Sequence, residues 1–264
     1  MIPAWSDVGD PGAPRVAWIL HGILGSGRNW RAFSRRLAER LPDWRFVSID
    51  LRNHGDSHPA DPPHTVAACA RDLGELAARI GAPAAVIGHS FGGKVAMAYG
   101  RDVDAAARIV AVDAVPFAVD PGALDDEVLA VLAMIERLPM PARDHAEVQR
   151  AFVEAGFSEM IAGWMTTNLR RAPDGLRWRL NVPAMREMLV SYAAEDLGPW
   201  LAGPGGPVCL VRAGRSQRWT AEALARLASL PRAQVELVAE SGHWVHVEAP
   251  DALLGIIERC LQAR

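Results

Sequence analysis

Short apolar runs alternate with segments of helical periodicity along most of the chain. The runs occupy residues 16–20, 45–50, 84–88, 108–113, 208–213 and 234–239. Unbroken apolar character over so few residues is typical of strands that are buried on both faces. The helical segments occupy residues 30–41, 65–80, 91–101, 220–230 and 250–261. This alternation predicts an α/β fold with a mostly parallel, doubly wound sheet and right-handed crossovers.

Residues 115–200 interrupt the alternation, because they contain helical and loop patterns without a convincing buried strand. The chain has 8 methionines, and most of them fall within this stretch. A sequence rich in glycine and proline follows at residues 203–207, after which the strand pattern resumes. We therefore expect a helical cap at 115–200, inserted into a sheet core formed by residues 1–114 and 201–264.

The composition is that of a globular protein with a large core. Apolar residues make up 50% of the 264 residues and charged residues 22%. The formal net charge of −3 gives no overall field that would attract nucleic acid or an anionic membrane. No apolar run approaches the roughly 20 residues that span a bilayer, and the N-terminus lacks the pattern of a signal peptide. We expect a cytoplasmic protein whose partner is a small molecule.

The three cysteines, Cys69, Cys209 and Cys260, lie far apart in the sequence. They form no Cys-x-x-Cys pair, and no histidine lies at metal-ligand spacing from them. This sparse, odd number is typical of unpaired, buried thiols in a reducing compartment. The sequence predicts neither a metal site nor an organic cofactor.

The strongest local signal is the sequence Gly-His-Ser-Phe-Gly at residues 88–92, which lies between a predicted strand and a predicted helix. A serine on such a turn projects its hydroxyl away from the backbone, and small residues are required on both sides because strand and helix nearly collide. The helix N-terminus also favours developing negative charge. The pattern predicts that Ser90 is a nucleophile; the alternative is a glycine-rich turn with a surface serine.

A nucleophilic serine needs a base, and hydrolase chain order places that histidine after the last strand. His243 lies there, after a glycine suited to a loop that presents the ring, whereas His246 is expected to pack near the last helix. The orienting acid is less obvious, because Ser216 stands where a carboxylate is usual, after the strand at 208–213. Asp113, at the end of the strand at 108–113, is the preferred acid. The weaker candidates are Asp196, Glu195 and Glu222.

An oxyanion needs two amide donors. One is expected to be the amide of Phe91, directly after the serine. The other is expected from the turn at residues 21–26, where Ile23 is preferred over its neighbour Leu24 and His21 is expected to shape the turn. Lys94, the single lysine of the chain, is expected to have a structural role on the helix that follows Ser90.

Several of these motifs together resemble the α/β-hydrolase superfamily almost from end to end. They are His-Gly at 21–22, Arg-Asn-His-Gly-Asp-Ser at 52–57, the sequence at 88–94, and Gly-His-Trp-Val-His at 242–246. The Arg-Asn-His-Gly turn, the Gly-Gly-Lys at 92–94 and the sequence Trp-Arg-Leu-Asn-Val-Pro at 178–183 are similar to the YbfF-type bacterial esterases. The resemblance implies the α/β-hydrolase fold and hydrolysis of acyl esters, in places also of thioesters. It also implies that Asp113 is the acid.

The cap is expected to cover the serine and to select the acyl group. We expect Leu24, Trp164, Trp178 and Trp244 to line the substrate pocket, although packing of the cap onto the core explains such residues equally well. Two other functions stay open at this point. One is a C–C bond hydrolase or a cofactor-free lyase or synthase of the same superfamily, and the other is a non-catalytic ligand-binding protein on this scaffold.

Overall fold

A seven-stranded sheet with helices on both faces forms the centre of the computed structural model, which describes residues 1–120, 122 and 126–262. In chain order the strands of this sheet are β1 (Trp5–Val8), β2 (Arg15–Leu20), β3 (Trp44–Ile49), β4 (Ala85–His89), β5 (Arg108–Val112), β8 (Val208–Ala213) and β9 (Ala233–Val238). A separate hairpin consists of β6 (Leu169–Ala172) and β7 (Gly175–Trp178). The sheet order is β1-β3-β2-β4-β5-β8-β9, and every neighbouring pair except β1 and β3 is parallel. The predicted doubly wound, mostly parallel sheet is confirmed.

Helices cover both faces of this sheet. They are α1 (Gly27–Arg40), α2 (Val66–Ile80), α3 (Phe91–Asp102), α4 (Asp126–Arg137), α5 (His145–Glu154), α6 (Glu159–Thr166), α7 (Val182–Ala194), α8 (Gly198–Ala202), α9 (Ala221–Ala228), α10 (Val245–Glu248) and α11 (Pro250–Gln262), with a 3-10 turn at Gly55–Ser57. One apolar core lies beneath α1 and α11, and the other beneath α2, α3 and α7. None of the described helices combines the length and apolar character that a helix needs to cross a bilayer.

Two structural elements of this fold are absent from the sequence-based prediction. The strand β1 pairs antiparallel with β3 at the edge of the sheet, and its residues are largely exposed. The hairpin β6–β7 lies within the predicted cap, and each of its strands has only four residues. Both elements are short and carry polar side chains, so they lack the continuous apolar pattern that marks a buried strand.

The carboxyl ends of the parallel strands bring distant parts of the sequence to one edge of the sheet. Loops after β2, β4, β5, β8 and β9 all begin at this edge. The segment between β5 and β8 contains α4 to α8 and the hairpin β6–β7, and contributes no described strand to the seven-stranded sheet. The functional groups predicted from the sequence therefore converge where open α/β sheets bind their ligands.

Lys94 fastens both ends of this segment to α3. Its side chain is fully buried, and its Nζ donates to the carbonyl oxygens of Phe117 (2.7 Å), Tyr192 (2.7 Å) and Glu195 (2.8 Å). Nζ also lies 4.4 Å from the centre of the Tyr192 ring, a cation–π contact. Burial lowers the pKa of Lys94 to about 8, while the negative charges of Glu195 and Asp196 raise it and limit the decrease. The ammonium form therefore prevails at neutral pH. These contacts support the structural role expected for this lysine.

The expectation of three unpaired thiols is wrong for two of the cysteines. Cys209 on β8 and Cys260 on α11 form a disulfide with their Cα atoms 6.6 Å apart, whereas Cys69 is free and buried. The two partners are 51 residues apart in the sequence. Packing of α11 against the sheet brings them together, and that packing is invisible in the cysteine spacing.

We expect Lys94→Met to lower the free energy of unfolding by about 3 kcal/mol, because three buried carbonyl oxygens lose their charged donor. Urea denaturation at pH 7 measures the change. The matched control is Arg143→Met, which removes an exposed ion pair with Glu147 of α5 and should cost about 0.5 kcal/mol or less. Equal unfolding midpoints for the two variants would contradict the role assigned to Lys94.

Candidate active site

Ser90 lies on a strained turn between β4 and α3. Its backbone has φ 52° and ψ −117°, a conformation that non-glycine residues adopt only when the surrounding structure enforces it. A Cβ atom at Gly88 would lie 2.0 Å from the carbonyl oxygen of Gly92, and one at Gly92 would lie 2.4 Å from that of His21. The two glycines are therefore required by backbone contact, and the turn has the strand–turn–helix geometry that the motif predicts.

His243 and Asp113 form a close hydrogen-bonded pair. The Nδ1–H of His243 donates to Oδ2 of Asp113 at 2.6 Å, although 130 residues separate them in the sequence. Asp113 is fully buried directly after β5, while the side chain of His243 is 14% exposed. The imidazole is thus held by its Nδ1 atom, the arrangement in which a carboxylate orients a histidine base.

The weaker acid candidates lie elsewhere in the structure. Asp196 forms an ion pair with Arg226 at 2.8 Å, and Glu195 forms one with Arg101 at 2.6 Å. Glu222 is exposed in the first turn of α9. Asp113 is therefore the one of these four carboxylates that the structure brings to His243.

Trp219 is a partner of Asp113 that sequence reasoning missed. Its indole Nε1 donates to Oδ1 of Asp113 at 2.6 Å, and the amide of Ala213 donates to the same oxygen at 3.2 Å. Burial raises the pKa of Asp113, but the hydrogen bond and charge of His243 and the hydrogen bond from Trp219 outweigh it, so the pKa is lowered overall. The carboxylate therefore stays ionised at neutral pH. No spacing rule connects a tryptophan six residues after Ala213 with an aspartate on another strand.

Two side chains, Glu248 and His89, hold the loop that carries His243. Glu248 accepts hydrogen bonds from the amides of Gly242 (2.7 Å) and Trp244 (3.1 Å), which flank the histidine. His89 Nε2 lies 2.8 Å from the carbonyl oxygen of His243. Burial, reinforced by His243, lowers the pKa of His89 well below its usual value, so its neutral ring donates this hydrogen bond.

His246, the alternative base, has a packing role. Its ring stacks on Trp30 with 4.3 Å between the ring centres. Burial lowers its pKa to about 3, so the ring is neutral at physiological pH. The structure pairs His243, and not His246, with Asp113.

Two amides lie at the positions predicted for oxyanion donors. Phe91 is the first residue of α3, so its amide has no acceptor within the helix. The amide of Leu24 donates to Nε2 of His54 at 3.2 Å and is therefore occupied. The amide of Ile23 forms no hydrogen bond within the described part of the chain, which favours Ile23 over Leu24.

Two buried histidines hold the loop that contains Ile23. His21 donates through Nδ1 to the carbonyl oxygen of Gly22 (2.7 Å) and accepts from the amide of Leu51 through Nε2 (3.0 Å). The rings of His21 and His54 lie 4.7 Å apart. Burial lowers the pKa of His21 to about 4 and that of His54 to about 3, so both rings are neutral. The structural role expected for His21 fits this arrangement.

A narrow, mostly apolar cavity of about 10 Å³ opens beside Ser90. Side chains of α4 and α7 form much of its wall. Among the described residues, its lining comprises Ile23, Ser90, Phe91, Val128, Leu129, Leu189, Tyr192 and Arg218. Sequence reasoning identified three of these residues through the catalytic motifs and missed the remainder, which carry no motif. No group of three or more potential metal ligands occurs among the described residues.

The four residues predicted to line the substrate pocket do not line the cavity at Ser90. Leu24 is fully buried in the core, and Trp178 packs against Phe152 with 6.4 Å between the ring centres. Neither residue lines the cavity at Ser90. Trp164 and Trp244 form an edge-to-face pair at 4.6 Å and border a neighbouring groove instead. The aromatic composition of residues 115–200 did not reveal which helices of this segment line the cavity at Ser90.

Comparison with known proteins identifies similar chains along almost the whole length. Residues 19–256 match the model of the alpha/beta hydrolase family. Esterase YbfF of Escherichia coli (strain K12) is 32% identical over 251 residues, covering 92% of this chain and 91% of that protein. The sn-1-specific diacylglycerol lipase ABHD11 of Mus musculus is 30% identical over 260 residues, covering 94% of this chain and 81% of that protein. A solved marine microorganism esterase superimposes with a TM-score of 0.83 at 23% identity, covering 98% of both chains.

The buried neutral histidines predict a loss of stability in acid. In the unfolded chain a histidine has a pKa near 6.5, whereas burial lowers the pKa of His21 to about 4 and that of His54 to about 3. Below pH 6.5 the unfolded chain binds more protons, so the free energy of unfolding falls until the folded pKa is reached. For His21 alone the loss amounts to about 3 kcal/mol.

Urea denaturation between pH 7.5 and 4 measures this loss. His54→Gln should make the decline in the free energy of unfolding shallower, because one buried group no longer titrates. His145→Gln, at an exposed position on α5, is the control and should keep the wild-type decline. A His54→Gln protein with the same pH dependence as wild type would contradict the explanation.

Proposed function

Because the chain belongs to the alpha/beta hydrolase family, we propose that it hydrolyses carboxylic esters through Ser90, His243 and Asp113. The observation that carries this proposal is the 2.6 Å hydrogen bond between His243 and Asp113, two residues that lie with the strained Ser90 turn at one edge of the sheet. The ester as substrate class is supported by the similarity to an esterase and a lipase, each at least 30% identical.

Acylation begins when the hydroxyl of Ser90 attacks the acyl carbonyl carbon and His243 takes its proton. The imidazolium that forms is stabilised by the ionised carboxylate of Asp113, whose pKa is held low by His243 and Trp219. Collapse of the tetrahedral intermediate expels the alcohol, which receives the proton from His243. Ser90 is left as an acyl ester.

The negative charge of the intermediate falls on the former carbonyl oxygen. The amides of Ile23 and Phe91 are the donors we assign to it, because both residues border the cavity at Ser90 and neither amide is engaged elsewhere in the described structure. The N-terminal end of α3 adds a favourable dipole. His21 and His54 fix the loop that carries the Ile23 amide, and α3 fixes the Phe91 amide. Donors held in advance need no rearrangement during the reaction, and this makes their stabilisation of the oxyanion strong.

Deacylation repeats these steps with water as the nucleophile. His243 removes a proton from the water molecule, the amides again hold the oxyanion, and Ser90 leaves with a proton from His243. The products are a carboxylic acid and an alcohol. A thioester would follow the same path with a thiol as the leaving group, so thioesters form a second substrate class in this proposal.

The acid assignment predicts a sharp difference between two variants. Asp113→Asn should lower kcat by roughly 10⁴-fold, because His243 loses the carboxylate that orients it and stabilises its charged form. Ser216→Ala should change kcat by no more than a few fold, although Ser216 occupies the usual position of the acid. Initial rates with p-nitrophenyl butyrate measure both, and circular dichroism checks the fold. The reverse order of effects would show that the acid is misplaced.

The nucleophile is tested with a fluorophosphonate probe, which labels only an activated serine. The wild-type protein should be labelled, Ser90→Ala should not, and Ser216→Ala should be labelled like wild type. Absence of label on the wild-type protein would favour a non-catalytic binding function. Labelling without turnover of any p-nitrophenyl ester, together with cleavage of a dienoate-type diketone, would point to a C–C bond hydrolase instead.

A further inference from the structure

A second, mostly apolar groove lies beside Trp244, the residue that follows His243. It encloses about 230 Å³ between α6 and the short helix α10. Met160, Ile161 and Trp164 of α6 form one wall, and Trp244 and Val247 form the other. The edge-to-face contact between the two tryptophans joins the walls at one point. We call this the α6–α10 groove.

The α6–α10 groove adjoins both loops that we assign to catalysis. The ring of Trp244 lies 5.2 Å from the ring of His243, centre to centre. At the groove's other side, Asn29 accepts a hydrogen bond from the amide of Ser26 at 2.7 Å, directly after the loop that contains Ile23. The groove and the cavity at Ser90 have no described lining residue in common. The groove nevertheless neighbours both the His243 loop and the loop that contains Ile23.

An ester has an alcohol portion and an acyl portion, called here its two arms. They differ in their position relative to the histidine base. The alcohol arm must lie beside His243, because its oxygen receives the proton from that ring when the ester bond breaks. The acyl arm stays on Ser90, next to the apolar cavity formed with α4 and α7. Through Trp244, the groove neighbours the ring that gives its proton to the departing alcohol.

The lining of the groove selects for an uncharged occupant. Its described lining contains no lysine, arginine, aspartate or glutamate, and the polar groups present are Asn29 and His246. Burial keeps His246 neutral, so it supplies no charge for an anionic leaving group. Met160 and Val247 are 51% and 55% exposed, which leaves apolar surface uncovered at the rim. A phosphate-bearing thiol finds no countercharge in this groove.

We propose that the α6–α10 groove binds the alcohol portion of the ester, and that the preferred alcohols are uncharged and apolar, either aromatic or with an extended alkyl chain. This inference rests on the proposed ester hydrolysis and names the leaving-group class. The paired indole rings offer an edge and a face to an aromatic alcohol, and Met160 adapts to the shape of an alkyl chain.

A set of butyrate esters with a constant acyl group tests the proposal. The wild-type kcat/KM should rise from ethyl to octyl and 2-naphthyl butyrate. Met160→Glu and Val247→Glu place a charge on opposite walls of the groove and should each lower kcat/KM for the octyl and naphthyl esters by roughly tenfold, with little change for ethyl butyrate. The control is Val190→Glu on α7, where Val190 is 60% exposed and lies outside the groove lining. Identical ester preferences in all four proteins would overturn the proposal.

Direct binding separates this proposal from the proposed function. Equilibrium dialysis of 2-naphthol against the Ser90→Ala protein should show saturable binding, and adding Met160→Glu should weaken that binding by roughly tenfold. Binding without turnover of any ester by the wild-type protein would refute ester hydrolysis and leave the groove as an alcohol site. Absence of binding, with ester hydrolysis intact, would refute the groove alone.

Discussion

Contact between the backbones of β4 and α3 is the constraint on which the candidate site depends. The close approach leaves no space for a Cβ atom at Gly88 or Gly92, so the chain can reverse only through the strained conformation of Ser90. The same contact places α3 against the carbonyl oxygen of His21, which belongs to the loop that contains Ile23. One packing interaction thus sets the positions of the serine, of the Phe91 amide and of the loop opposite them.

Neutral buried histidines hold the loops that surround the Ser90 turn. His21 and His54 hold the loop of Ile23, and His89 holds the loop of His243, each through a ring that stays uncharged because it is buried. A neutral imidazole offers one donor and one acceptor, so it can connect an amide with a carbonyl group in the absence of water. His243, the proposed base, differs from these three histidines, because its Nδ1 faces a carboxylate instead of a backbone group.

The sequence suffices to predict those features that follow from local backbone chemistry. The strands β2, β3, β4, β5 and β8 are recognisable because burial on both faces demands continuous apolar runs, and the turn at Ser90 is recognisable because only glycine fits beside it. The residues alone favoured Asp113 over three other carboxylates, and the family resemblance supported the same choice. Features made by packing between distant segments escape prediction, including the indole of Trp219 on Asp113, the disulfide of Cys209 and Cys260, and the α4 and α7 wall of the cavity.

The burial of Lys94 has a consequence for the chemistry of the protein surface. The chain contains 28 basic residues, and Lys94 is its single lysine, enclosed by three carbonyl oxygens beneath α7. Every positively charged side chain that meets solvent is therefore a guanidinium or a histidine. Acylating labels, aldehyde cross-linkers and lysine-modifying enzymes would find no lysine amine on the folded surface. Reaction at Lys94 would instead report that the segment between β5 and β8 has detached from α3.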